Sequence, residues 1–255
     1  MESLLQRERW IVRGCLSAVV VLCWLYLLHL KTAMVMSGMD MPGMVMLDTQ
    51  PWSGVTLLLL FVMWTVMMVA MMVPSASPMV LTFLTVNRTR SANNRLVPVG
   101  IFLLGYVVVW TAYSALATLM EWGLHQAALL STTMQATSPI LNGILLVTAG
   151  IFQLTPLKQA CLKGCRSPLT FLMSEWREGA KGAFLMGLRH GAYCLGCCWI
   201  LMALLFVAGV MNIFWIAVLA LVVMAEKVLR NGDRFAQIVG VVLVVAGIMH
   251  IAGKW

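Results

Sequence analysis

Several runs of about 20 apolar residues, joined by short linkers that hold most of the basic residues, leave this chain few ways to fold. A run of that length matches the hydrocarbon thickness of a bilayer as one helix. In lipid every backbone N–H and C=O must be satisfied within the protein, so such runs become helices, not open strands. The 255 residues are 62% hydrophobic and 10% charged, against about 25% charged in soluble domains. The expected fold is all-α, a polytopic membrane helix bundle in one integral domain over 1–255. The net charge is +8, but it sits in the linkers, where it sets orientation and needs no nucleic acid to explain it. No Gly-rich phosphate loop or nucleotide fingerprint is present, so nothing points to nucleotide-driven work.

Taken in order, helices are expected near 11–30, 54–73 with an extension to 86 broken at Pro74 and Pro78, 97–120, 139–157, 183–211, 213–229 and 235–252. That makes seven transmembrane helices. Arg7, Arg9 and Arg13; Arg88, Arg90 and Arg95; Lys158, Lys163, Arg166, Arg177 and Lys181; and Arg230 and Arg234 then fall on one side. Only Lys31 and Lys254 fall on the other. The charge rule puts the amino terminus in the cytoplasm and the carboxyl terminus in the periplasm, in a bacterial inner membrane. The first run lacks a small-x-small cleavage site and reads as a retained anchor. Residues 31–53 and 121–138, the latter with His125, are outer loops, and 158–182 is a cytoplasmic segment. Asn142 and Gln153 are candidates to face inward from the fourth helix.

Sulfur is distributed unevenly over this frame. His190, Cys194, Cys197 and Cys198 stand at i, i+4, i+7 and i+8, on one helical stripe. Three thiols and an imidazole are soft ligands that suit Cu(I) or zinc; singly, a buried Cys is more often a small packing residue. Cys161 and Cys165 fit one helical face or a loop chelate. Seven cysteines, clustered and odd in number, do not read as a disulfide framework. On the outer side Met34, Met36, Met39, Met41, Met44 and Met46 form a thioether-rich loop beside His29. It can capture a soft metal where free thiols would be oxidised, or rest on the bilayer as an apolar lip. Met63, Met67 and Met71, at i, i+4 and i+8, make either a thioether ladder across the bilayer or adaptable packing, the commoner use of Met.

Three ordered motifs carry a family resemblance. They are Trp64-x-x-Met67-x-x-Ala70-Met71-Met72-x-Pro74-x-x-x-Pro78-Met79; Gln153-x-Thr155-Pro156-Leu157-Lys158-x-x-Cys161-x-x-x-Cys165-Arg166-Ser167-Pro168; and Cys194-x-Gly196-Cys197-Cys198-Trp199, followed by Gly209-x-Met211-Asn212 and Glu226-Lys227. With them the chain resembles a bacterial family of metal-binding integral membrane proteins, a domain of unknown function associated with copper chaperoning. The resemblance implies copper handling, such as the loading of a copper enzyme or a respiratory oxidase. Relatives often carry His where Gly164 stands between the paired cysteines. If that His is a ligand, the site here has one donor fewer.

Three functions remain in view. The first is a Cu(I)-binding chaperone without catalytic turnover, with copper or zinc as the metal. Its metal ligands would be Cys194, Cys197, Cys198, Cys161, Cys165 and His190, and its partners the bilayer and a copper-enzyme client. The second is an assembly subunit of a larger membrane complex with no metal site. The third is a secondary transporter built on Glu226-Lys227 and the Pro74/Pro78 break.

Overall fold

The computed structural model describes residues 2–40, 53–90, 96–129 and 138–253, with side chains over 6–33 of the first segment and 53–88 of the second. In chain order the helices are α1 (Glu2–Asp40), α2 (Gly54–Arg90), α3 (Leu96–Gln126), α4 (Pro139–Leu154), α5 (Pro156–Arg166), α6 (Pro168–Glu175), α7 (Gly179–Ala203), α8 (Leu205–Ala208), α9 (Ile213–Val228) and α10 (Gly232–Ile251). The protein is all-α. Among the described residues, five helices are long and apolar enough to cross a membrane, and α4 with α5, bent by 65°, makes a sixth if the pair is one span. The seventh expected crossing is α9. At 16 residues it rises about 24 Å at 1.5 Å per residue, short of the length that marks the others.

Side chains tie the basic helix ends together. Arg88 pairs with Glu8 at 3.3 Å, and Arg9 donates to the Thr85 hydroxyl at 3.0 Å. Arg166 pairs with Asp233 at 3.2 Å and donates to the Leu229 and Arg230 carbonyls. Arg189 pairs with Glu175. These contacts set the start of α1 beside the end of α2, the end of α5 beside the start of α10, and α6 beside α7. Extensive pairings join α4 to α10, α3 to α7, α2 to α3 and α1 to α2. The α3–α7 pair is drawn close by Gly105 and Gly187. A methyl group on Gly105 would fall on the Phe184 carbonyl, and one on Gly187 on that of Phe102.

Three expectations need correction, and the structure adds detail to a fourth. α1 does not end at Leu30 but continues to Asp40, so Met34, Met36 and Met39 lie in helix. Lys31 to Val35 contains nothing that stops a helix, and Pro42 and Gly43 come only later. α2 is not broken at Pro74 and Pro78, which both lie inside it. The two prolines remove the N–H donors that would serve the Ala70 and Pro74 carbonyls, yet the stretch is largely buried against its neighbours; within it Ser75 and Tyr106 both donate to the Met72 carbonyl, and Ser77 donates to that of Val73. The third helix carries Glu121 and His125 within α3, not in a loop. Residues 158–182 are largely helical. Pro156 and Pro168 occupy first-turn positions of α5 and α6, where proline lacks only an N–H that has no helical partner anyway.

Candidate metal centre

The stripe expected on α7 forms, and it faces inward. Cys194, Cys197 and Cys198 are at most 1% exposed, and His190 is 3% exposed. α5 crosses this face. Thr155 caps its start, accepting from the Lys158 N–H at 3.3 Å, and the helix then presents Cys161 and Cys165 one turn apart. The Cys165 thiol lies beside those of Cys194 and Cys197, and Cys198 lies beside the same two. Four thiols from two helices thus meet at one buried point. Cys161, half-buried, lies over Gly196 in the middle of the motif, where a Cβ would stand 2.9 Å from its sulfur. Glycine at 196 leaves room for that thiol.

Three further helices close on the sulfurs. From α9, the Lys227 ammonium donates to Cys194 Sγ at 2.9 Å and to the Ser75 hydroxyl at 2.9 Å. From α3, the Tyr106 hydroxyl lies 3.1 Å from Cys194 Sγ and donates to the Met72 carbonyl at 3.0 Å. α2 supplies that carbonyl and Ser75 from its proline-bearing stretch. Beside them the His190 ring stacks on Tyr106 with centroids 5.6 Å apart and meets Phe171 edge-on at 5.7 Å. Among the described residues its Nδ1 has no hydrogen-bond partner.

Among the described residues, no group of three or more His, Cys, Asp or Glu side chains is set to hold a metal ion as it stands. The thiols are engaged with one another and with backbone. Cys197 donates to the Cys194 carbonyl at 3.1 Å and Cys198 at 2.8 Å. Such back-bonding to the preceding turn is weak and local, and rotation about one Cα–Cβ bond frees each sulfur.

The rest of the expected ligand set is more scattered. Met63, Met67 and Met71 are buried and belong, with Met68 and Met72, to the apolar cluster that contains Cys165, Cys194, Cys197 and Cys198. His29 is exposed on α1. The side chains of Met34, Met36 and Met39, and the whole of Met41, Met44 and Met46, lie outside the described residues. Gly164, where a His was considered, packs under Tyr193, whose ring would be 3.0 Å from a Cβ there.

Glu226 and Lys227 do not act as a pair. Glu226 accepts from Lys158 at 2.7 Å and from Gln153 at 2.6 Å, and Lys158 also donates to Gln153. All three are at most 1% exposed. Sequence reasoning missed Lys227, Tyr106 and Ser75 as neighbours of the thiols. It also missed a buried contact nearer the opposite end of the bundle, Trp64 Nε1 donating to Glu121 at 2.5 Å. For Glu121 a signal was present: Tyr106, Trp110, Tyr113, Ser114, Ala117, Thr118 and Glu121 recur at helical spacing.

Residues 61–250 match the family described as PpoB2, copper chaperone. Comparison with curated proteins and with solved structures finds no match. The matched stretch includes the Met stripe of α2, the thiols of α5 and α7, and Lys227. It covers most of the sequence, and the chain belongs to this copper-chaperone family.

Proposed function

We propose that this protein is a membrane-embedded Cu(I) chaperone that holds the ion on thiolates of α5 and α7 and delivers it to a metalloenzyme. One observation carries the reading: the buried contact of Cys165 with Cys194 and Cys197 across two helices. Thiolates are the soft donors that select Cu(I). A Cu(I) ion on two thiolates carries one net negative charge, and Lys227 stands ready to balance it at Cys194. Buried charge is tolerable only when paired. Cys198, Cys161 and His190 are further donors within the same region. They would let the ion move by ligand exchange without ever being bare.

In this reading α4–α5 and α9 complete seven crossings of a bacterial inner membrane, with the amino terminus inside. The placement of most basic residues in the linkers and at the helix ends supports that orientation. The thiols then lie toward the reducing cytoplasm, in the half of the bundle that contains Lys227.

The test is the copper content of purified protein, with X-ray absorption at the copper edge. Copper on thiolate sulfur is expected, and loss of that thiolate-bound copper when Cys194, Cys197 and Cys198 are replaced by Ser. Copper bound to the same level and with the same donors in that variant would refute the assignment.

A further inference from the structure

Along the α2–α3 seam, far from the thiols, Glu121 is wholly buried. Its Oε2 accepts from Trp64, and among the described residues its Oε1 has no partner. A buried carboxyl group with an idle oxygen is costly and calls for an explanation. Ionisable residues so placed within a membrane bundle mark ion paths by default.

Its surroundings suit one kind of ion. Trp64 heads a stripe on α2 in which Met67, Met68 and Met71 follow at i+3, i+4 and i+7, all within 1% of full burial. These methionines share one apolar cluster with the thiols. Phe206 of α8 packs against Trp64 with ring centroids 5.3 Å apart. Thioethers are soft donors but neutral. An ion held by them alone would take its whole charge into a medium of low dielectric. The stripe therefore needs an anion at its head. Among the described residues the buried acidic side chains are Glu121 and Glu226, and Glu226 is committed to Lys158.

We infer that Glu121 and the thioethers beside Trp64 form a second Cu(I) site, separate from the cysteine cluster, with the carboxylate supplying charge and the methionines soft donors. The inference rests on copper being the cargo, but its test is independent of the cysteines. The starting protein has Cys161, Cys165, Cys194, Cys197 and Cys198 all replaced by Ser. It is titrated with Cu(I) held by a competing chelator. One equivalent is expected to bind, at least about tenfold more weakly than to the native thiols, with thioether and oxygen donors in its X-ray absorption. Adding Glu121→Gln, which keeps an acceptor for Trp64, is expected to abolish that equivalent. Should Glu121→Gln fail to fold, Met67→Leu with Met68→Leu preserves packing volume and is expected to abolish it too. Absence of Cu(I) binding in the five-Ser protein, or its persistence in the folded variants, would overturn the inference. Failure of the cysteine reading has a different signature, full copper retention in the Cys194, Cys197 and Cys198 variant with unchanged donors.

Discussion

Replacing Glu226 by Gln tests whether the bend between α4 and α5 is held by a buried ion pair. The carboxylate accepts from Lys158 at 2.7 Å and from Gln153 at 2.6 Å, and the two charged side chains are 0% and 1% exposed. Glutamine keeps the shape but removes the charge facing Lys158. Breaking a buried pair from one side costs about 3–5 kcal/mol, because the remaining charge is left without compensation. Lys158 would still have Gln153 as an acceptor, so the lower end, about 3 kcal/mol, is expected. The pair replaced from both sides, Lys158→Met with Glu226→Leu, removes both desolvation penalties. Its effect should be near neutral, within about 1–2 kcal/mol, with Gln153 left short of partners. Reversible unfolding in detergent of wild type, Lys158→Met, Glu226→Leu and the double variant gives the coupling energy directly, with Glu226→Gln measured beside them. Copper content should be preserved in Glu226→Gln, since Lys227, not Glu226, touches sulfur. A single variant within about 1 kcal/mol of wild type, with a double variant no more stable than it, would refute the argument that this pair is uncompensated when broken.

Two other substitutions read different parts of the fold. Gly187→Ala puts a methyl group against the Phe102 carbonyl, backbone that cannot swing aside; it should separate α3 from α7 at a cost of about 1–3 kcal/mol, and an unchanged melting curve would contradict the close approach. Gly164→His alone should add no copper ligand, because Tyr193 occupies the space its Cβ would enter. Combined with Tyr193→Ala, a nitrogen donor should appear in the copper X-ray absorption spectrum, and its appearance already in the single variant would show that Tyr193 does not block the position.

The bundle was legible wherever composition alone decides the outcome. Apolar runs gave the helices, because the effect comes from the lipid and acts on each segment separately. Errors arose where a local signal was outweighed by neighbours. Pro74 and Pro78 signal a break, yet α2 persists through a stretch that is largely buried against neighbouring helices, where Tyr106 donates to the Met72 carbonyl. Tyr106 lies on another helix and cannot be paired with Met72 from spacing. Glu121 looks like the first polar residue after a span. It is instead the last member of the buried face of α3, and its partner Trp64 is 57 positions away.

The site was legible along each helix and not between helices. The period of α7 brings Cys194, Cys197 and Cys198 to one side, and that of α5 aligns Cys161 with Cys165, by geometry that any helix imposes. Nothing in those periods says that Cys165 reaches Cys194. The dipeptide Glu226-Lys227 shows the opposite error, in which adjacency suggests a pair. Successive residues on a helix point about 100° apart, so two neighbours in the last turn of α9 address different helices. Glu226 turns to Lys158 on α5 and Lys227 to Cys194 on α7. Glu226 neutralises a different lysine, so the charge of Lys227 is not spent on its neighbour. It remains directed at sulfur, where a copper–thiolate unit would need it.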